Sequence, residues 1–240
     1  MDALDVSTVF TISVFGLKIP MTETVIVSWA VMLFLIVGSV IVSGRLKEIP
    51  GGVQAIVETG VEFLNGFAAG RFGSLSKFLG PYMGSLFLFL LAANIVGVLS
   101  PVEVKAFGHV FVPPFVIRPP TRDINVTLAL AAISITLIPV CAIAARGITG
   151  WLGHFLYPFP MMLPFNIMEY GVRLSSLALR LFGNILAGVV LMRMIEGVLP
   201  LALPMIFSLY FDFFDGIMQA VIFVFLTSIY ISEAVATHEG

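Results

Sequence analysis

A series of apolar runs, each long enough to cross a lipid bilayer as a helix, constrains this chain more than any other feature. A hydrocarbon core of about 30 Å requires about 20 apolar residues in a helix. Three such runs occupy residues 25–42, 78–99 and 124–145, and two longer ones occupy residues 161–196 and 203–235. Hydrophobic residues make up 59% of the chain and charged residues 11%, against roughly 45–50% and 25% in a soluble domain. The sequence therefore predicts an all-α integral membrane protein with about five membrane helices.

The last two runs are longer than a bilayer requires, so they are expected to tilt, bend or extend beyond it.

The whole chain is predicted to be a single membrane domain, residues 1–240. Its parts are an N-terminal segment of residues 1–24, three spans with an amphipathic helix in residues 25–145, and a charged helical hairpin in residues 161–240. Asp2 and Asp5 stand where a secretory signal peptide has lysines, so the N-terminal segment is predicted to be retained.

Residues 53–70 predict an amphipathic helix rather than a span. Their apolar side chains recur at helical spacing, and the other side of the helix carries polar ones. These polar residues are Gln54, Glu58, Glu62 and Asn65. A helix of this kind fits the membrane interface or the surface of a partner.

The loop between the second and third spans is polar and rich in proline. Its charged residues Arg118, Arg122 and Asp123 are expected in water or among lipid headgroups. His109 in this loop could relay protons near neutral pH, although a lone loop histidine is more often simply solvated. Lys and Arg residues in all the loops slightly favour an orientation with the amino terminus outside.

Composition also excludes several functions. The net charge is −2 and no basic run is present, which excludes a nucleic-acid partner. The single cysteine, Cys141, provides neither a disulfide framework nor zinc-ligand spacing and is expected to be a small buried hydrophobe. We therefore predict no cofactor and no metal site.

Ionisable residues are concentrated in the last two runs. They are Glu169, Arg173, Arg180, Arg193, Glu196, Asp212, Asp215 and Glu233. Facing lipid, each would cost several kcal/mol, whereas facing a protein partner or a water-filled cavity they are tolerated. The charged hairpin is therefore predicted to carry the function, while Asn94 and Asn125 in the earlier spans are expected to form interhelical hydrogen bonds.

Helical periodicity places many of these residues on shared faces. On the first long helix, one sector contains Glu169, Arg173, Ser176, Arg180, Asn184 and Ala187; on the second, Asp212, Asp215, Gln219 and Glu233 lie within about 80°. In an antiparallel hairpin, Arg180 and Gln219 would meet at mid-depth. Glu196, Asp212 and Asp215 would then lie on one side of this point, and Glu169 and Glu233 on the other. The pattern predicts two polar half-paths that meet at Arg180.

Small residues surround Arg180 and would allow another helix to approach closely. They include Ser176, Gly183, Ala187 and Gly188. Two structural alternatives remain open at this point. The small residues could pack the first three spans of the same chain, and Arg180 could be a structural charge neutralised by Glu169 or by an aspartate.

At these residues the chain resembles the a subunit of the F-type ATP synthase, the membrane stator beside the rotating ring of c subunits. The resemblance is carried by the order of the spans and by three stretches, "PTRDINVTLAL", "SSLALRLFGNILAG" and "QAVIFVFLTSIYIS". It implies that Arg180 is the essential stator charge and that Gln219 and Asn184 are the matching family polar residues.

The resemblance implies a rotary ion path without catalytic activity of its own. It implies partners, namely the c-subunit ring, b-type peripheral stalk subunits and membrane lipid, in a bacterial plasma membrane. The outer half-path is assigned to Asp212, Asp215 and Glu196, and the inner one to Glu169 and Glu233. An open alternative is that these carboxylates are solvated helix ends, above all Glu196 and Glu233. The coupling cation, H⁺ or Na⁺, stays open, and the resemblance implies no other small-molecule substrate.

Of two family positions in the outer half-path, one is kept in type and the other is missing. Val189 stands where many members have an acidic residue or a histidine, whereas Asp212 retains an acidic group at a position where a histidine or glutamate is common. The main alternative function is a cation-coupled secondary transporter, which would need broken helices around a mid-depth substrate pocket. A membrane scaffold is a further alternative, in which Arg180→Ala would leave ion flux unchanged.

Overall fold

The structure is a computed structural model. It describes residues 8–14, 17–47, 50–98, 104–106, 109–111, 119–156, 159–198 and 210–235. The six α-helices in these ranges are α1 (Glu23–Ser43), α2 (Gly52–Phe72), α3 (Ser76–Val98), α4 (Ile124–Leu156), α5 (Leu163–Val198) and α6 (Gly216–Val235). A π-helical turn, Tyr210–Asp215, directly precedes α6.

Four of the described helices, α1, α3, α4 and α6, are long and apolar enough to cross a membrane. The fifth long helix, α5, has 36 residues and carries the charged positions noted above. The class of helical, multi-pass membrane protein is thus confirmed, and the boundaries of α1, α2, α3 and α5 differ from the predicted ones by no more than a few residues. The last run was predicted to begin at residue 203, which lies outside the described residues; its described part begins with the π-helical turn at Tyr210. The helix α4 continues to Leu156, well beyond the predicted end at residue 145.

Gly147 interrupts α4 close to the predicted end of the third span. Its φ of 75° and ψ of 170° lie in a backbone region that is essentially restricted to glycine. The residues beyond it resume a helical course to Leu156. The helical segment before Gly147 therefore has about the length of the predicted span, and a glycine allows the chain to change direction there.

Two short β-hairpins accompany the helices and were not predicted. In the first, β1 (Thr8–Val14) pairs antiparallel with β2 (Leu17–Thr22). In the second, β3 (Val104–Ala106) pairs antiparallel with β4 (His109–Phe111). Their sequences are rich in Val, Ile, Thr and Phe, residue types that favour strands.

The amphipathic helix α2 covers the predicted range and packs against α3. A Cβ added at Gly80 on α3 would lie 3.2 Å from the Asn65 side chain, so the two helices approach closely there. Ala68 is fully buried on this side, whereas Ile56 and Phe63 are strongly exposed. The exposed apolar residues fit a lipid interface or a partner surface, as predicted.

The chain divides into two compact units, and α1, α3, α4, α5 and α6 contribute residues to both. The first unit comprises Met1–Ile36, Leu88–Thr127 and Leu179–Ala220, and the second comprises Val37–Phe87, Leu128–Ala178 and Val221–Gly240. Buried apolar residues of the first include Leu90, Ala93, Leu181 and Ala220. Those of the second include Leu79, Met83, Ile138, Leu177 and Phe223. The single-domain organisation of residues 1–240 stays a prediction.

Candidate functional site

Arg180 lies at the middle of α5, and its side chain is exposed. It has no hydrogen-bond or ion-pair partner among the residues that the structure describes. Leu181 next to it is fully buried, so the helix anchors its apolar side in the core while Arg180 faces outward. An ionisable side chain within a membrane protein is tolerated where it faces a protein partner or a water-filled cavity rather than lipid.

The small residues around Arg180 leave a shallow, unfilled surface. At Gly183 and at Gly188, an added Cβ would meet no atom within 4 Å. Ala187 is exposed, whereas Ser176 and Asn184 are half-buried. The described residues of this chain therefore do not pack into the glycines beside Arg180, which argues against the alternative that these glycines serve internal packing.

Gln219 on α6 is almost completely buried, with 4% of its surface exposed. Its Nε2 has no hydrogen-bond partner within the described part of the chain. A buried amide donor without a partner carries a free-energy cost of about 1–3 kcal/mol. No hydrogen bond joins Gln219 to Arg180 across the described ranges, so their meeting at mid-depth stays a prediction.

A buried hydrogen-bond chain fixes the start of α6, one turn before Gln219. Asn94 on α3 donates through Nδ2 to the carbonyl oxygen of Gly216 at 3.2 Å. Thr121 in turn donates through Oγ1 to Asn94 Oδ1 at 2.6 Å. Asn94 is therefore an interhelical hydrogen-bonding group, as predicted.

Asp123 is buried, contrary to its predicted place in water or among headgroups. Only 3% of its surface is exposed, and it accepts hydrogen bonds from the Thr24 hydroxyl at 2.8 Å and from Asn125. Both the backbone N and the side-chain Nδ2 of Asn125 donate to Asp123 Oδ1, at 2.9 Å and 3.0 Å. The carboxylate at the start of α4 is buried because α1 and α4 together supply its hydrogen bonds. The prediction failed because the donor from α1 is distant in sequence.

In the second unit, Glu169 and Glu233 meet at one arginine. Arg173 donates through Nε to Glu169 Oε1 at 3.0 Å, and its Nη2 donates to the same oxygen and to Glu233 Oε2 at 2.8 Å. The Tyr230 ring lies 4.8 Å from Arg173 Cζ. The two acidic residues assigned to the inner half-path are therefore close together. Because Glu169 pairs with Arg173, the alternative in which Glu169 neutralises Arg180 is not supported.

The residues assigned to the outer half-path are only partly described. Asp215 is half-buried at the end of the π-helical turn. Asp212 belongs to the same turn and Glu196 to the last turns of α5, but both side chains lie outside the described residues. The role of these three residues stays a prediction.

Sequence reasoning placed Arg173 on the polar face of α5 but gave it no role of its own. The spacing of Glu169 and Arg173, four residues apart on one helix, is a signal for an ion pair and could have identified it. The contact with Glu233 depends on the packing of α5 against α6, so no pattern in the local sequence indicates it.

Within the described ranges, no group of three or more His, Cys, Asp or Glu is arranged to hold a metal ion.

Comparison with known proteins connects this arrangement to one family. The family model of the ATP synthase A chain matches residues 25–232. ATP synthase subunit a, sodium ion specific, of Propionigenium modestum is 34% identical over 220 residues, covering 92% of this chain and 76% of that protein. ATP synthase subunit a of Moorella thermoacetica is 31% identical over 220 residues, covering 92% of this chain and 94% of that protein.

Proposed function

The chain belongs to the ATP synthase A chain family, and we propose on that basis that it is the stator subunit of a rotary ATP synthase. In this role it passes cations to and from carboxylates on a rotating ring of membrane helices. The chain itself catalyses no reaction and contributes the ion path to the enzyme complex. The single observation that carries the proposal is the exposed guanidinium of Arg180 beside Gly183 and Gly188, where an added Cβ would meet no atom of the described residues within 4 Å.

The physical need for Arg180 follows from the cost of charge in lipid. A ring carboxylate that faces the bilayer must carry a proton or a bound cation, because crossing lipid in the ionised form is too costly. Where the carboxylate has released its cation, it needs a positive partner. Arg180 supplies one, since a guanidinium stays protonated and binds a carboxylate through two parallel hydrogen bonds.

The same charge separates two half-paths. A cation that crossed the chain directly would have to pass a fixed positive charge at the middle of α5. We assign the outer half-path to Asp212, Asp215 and Glu196 and the inner one to Glu169 and Glu233. Cations then enter one half-path, load the ring, travel with it and leave by the other, while each elementary charge contributes about 2.3 kcal/mol per 100 mV of membrane potential.

Gln219 and Asn184 complete the proposed site. The buried amide of Gln219 has a donor without a partner in the described chain, so a carboxylate or water near Arg180 would satisfy it. Asn184 lies one turn after Arg180 on α5 and is half-buried. Both residues can donate hydrogen bonds to an ionised ring carboxylate.

We assign the chain to a bacterial plasma membrane, where its partners are the c-subunit ring, b-type peripheral stalk subunits and lipid. Ser176, Gly183, Ala187 and Gly188 form the surface that the ring helix approaches. A cation-coupled secondary transporter is not favoured, because α5 continues as a helix through Arg180, whereas such sites lie in broken helices.

ATP-driven cation uptake into vesicles tests this function. The complex is assembled with and without this chain, and both proton and sodium uptake are followed, since one relative is named as sodium ion specific. We expect uptake of one of the two cations only when the chain is present, with ATP hydrolysis retained in its absence. Equal uptake with and without the chain would contradict the proposal.

A further inference from the structure

Arg173 occupies the centre of a cluster formed by two helices. Glu169 comes from the same helix, α5, whereas Glu233 and Tyr230 come from α6. The guanidinium donates to a carboxylate on each helix and lies over the tyrosine ring. Three groups therefore hold it in one orientation.

Burial within the cluster is unequal. The Arg173 side chain is 15% exposed, whereas those of Glu169 and Glu233 are 52% and 60% exposed. Arg173 binds a single oxygen of each carboxylate, Oε1 of Glu169 and Oε2 of Glu233. The guanidinium is thus the inner member, and each carboxylate keeps a second oxygen that Arg173 does not bind.

The charges of the cluster do not cancel. With both carboxylates ionised, one guanidinium leaves a net charge of −1. Such a group attracts a cation, and the carboxylate oxygens that Arg173 does not bind can hold it without displacing Arg173. Two carboxylates without the guanidinium would instead attract a cation much more strongly, and a divalent cation most of all, because the Coulomb energy scales with the product of the charges.

We propose that Arg173 is a positioning residue that prevents the inner half-path from trapping cations. It binds one oxygen of each carboxylate and cancels one of their charges, so that a coupling cation is attracted and then released. This inference rests on the proposed function, because it takes Glu169 and Glu233 as groups of the inner half-path. Glu169 and Glu233 attract the coupling cation, and Arg173 limits how tightly they bind it.

Inhibition by a divalent cation distinguishes this role from simple helix packing. Arg173→Gln leaves a net charge of −2, so Ba²⁺ should bind at the inner end and block cation flow. In vesicles with the ATP-hydrolysing face outward, added Ba²⁺ reaches that end directly. ATP hydrolysis by the same complexes, uncoupled with detergent, corrects for any effect of Ba²⁺ on hydrolysis itself.

We expect half-maximal inhibition of cation uptake in Arg173→Gln complexes at a Ba²⁺ concentration at least about tenfold lower than in native complexes. Arg173→Lys restores the charge and should restore native sensitivity. Arg173→Gln/Glu233→Gln also restores a net charge of −1 and should do the same. If Arg173 only packed α5 against α6, the double variant would not recover native sensitivity.

A second variant covers the case in which Arg173→Gln fails to assemble. Glu233→Gln alone leaves a net charge of zero, and half-maximal inhibition should then require more Ba²⁺ than in native complexes. Unchanged Ba²⁺ sensitivity in Arg173→Gln, or in Glu233→Gln where only that variant assembles, would overturn the inference. So would a double variant as sensitive as Arg173→Gln.

Arg180→Ala complexes in the same preparation separate the two possible failures. If uptake survives Arg180→Ala, the proposed function fails and this inference fails with it. If Arg180→Ala abolishes uptake while Arg173→Gln shows native Ba²⁺ sensitivity, the inference alone is wrong.

Discussion

Asn94 on α3 donates a hydrogen bond to the carbonyl oxygen of Gly216, 3.2 Å away, where α6 begins. The approach is so close that a Cβ added at Gly216 would lie 2.8 Å from the Asn94 Cβ. Gln219 follows one turn later on the same helix. The contact therefore sets where α6, and the glutamine on it, lies relative to α3.

Gly216→Ala is expected to push α6 away from α3. Overpacking of this kind costs about 1–3 kcal/mol, and the chain should be lost from the heated complex at a lower temperature than the native one. Gly38→Ala is the matched control, because an added Cβ there meets nothing within 4 Å. A Gly216→Ala complex as heat-resistant as the native one would show that the contact does not constrain α6.

Substitutions of glycine on α5 test which side of the helix faces the ring. Gly183→Leu, beside Arg180, should reduce ATP-driven cation uptake by about tenfold or more, which corresponds to about 1.4 kcal/mol. Gly171→Leu is the matched control, since about 100° per residue places it on the opposite side of α5 from Arg180. An added Cβ at either glycine meets nothing within 4 Å inside the chain. Equal uptake in the two variants would contradict the proposed ring-facing surface.

Removal of the buried carboxylate at the start of α4 should destabilise the chain. Asp123→Ala removes the acceptor of the buried Thr24 hydroxyl and of two Asn125 donors, and the loss of these bonds should cost about 1–3 kcal/mol in total. Thr24→Val removes one of these bonds and should cost less. The amount of chain retained in heated membranes measures both effects. If heated membranes retained as much Asp123→Ala chain as native chain, these hydrogen bonds would contribute little to stability.

Gly147 should tolerate no side chain. Gly147→Ala forces a residue with a Cβ into a region restricted to glycine, at a cost of about 1–3 kcal/mol. Gly153→Ala on the same helix should instead stabilise by about 0.5–1 kcal/mol, because alanine favours helix and the site is open. After heating, membranes should therefore retain less of the Gly147→Ala chain and more of the Gly153→Ala chain than of the native chain. A loss of retention in Gly153→Ala as large as that in Gly147→Ala would contradict this expectation.

The length of the apolar runs predicted the helices, because each span must match the thickness of the bilayer. This requirement is visible within one continuous stretch of sequence for each span. The boundaries of α1 and α3 follow from it closely. The two β-hairpins were missed because strands of this length give a weak pattern beside long helices. The class and the order of the helices were therefore accessible from the sequence alone.

Contacts between distant segments could not be predicted in the same way. Thr24 and Asp123 lie 99 residues apart, and nothing near either residue indicates the other. Helical periodicity placed Glu169 and Glu233 on the same side of Arg180, but it did not reveal that Arg173 joins them. The polar faces followed from local spacing, whereas the partner of each polar group was decided by packing.

ATP-driven cation uptake by assembled complexes carrying Arg180→Ala tests the central claim most directly. One control is Arg180→Lys, which keeps the charge but cannot form bidentate hydrogen bonds with a carboxylate. The other is Arg45→Ala, which removes an exposed arginine after the end of α1. We predict that Arg180→Ala abolishes uptake, that Arg180→Lys retains only a small part of it, and that Arg45→Ala pumps like the native complex. Native uptake by an Arg180→Ala complex that contains the assembled chain would contradict the account.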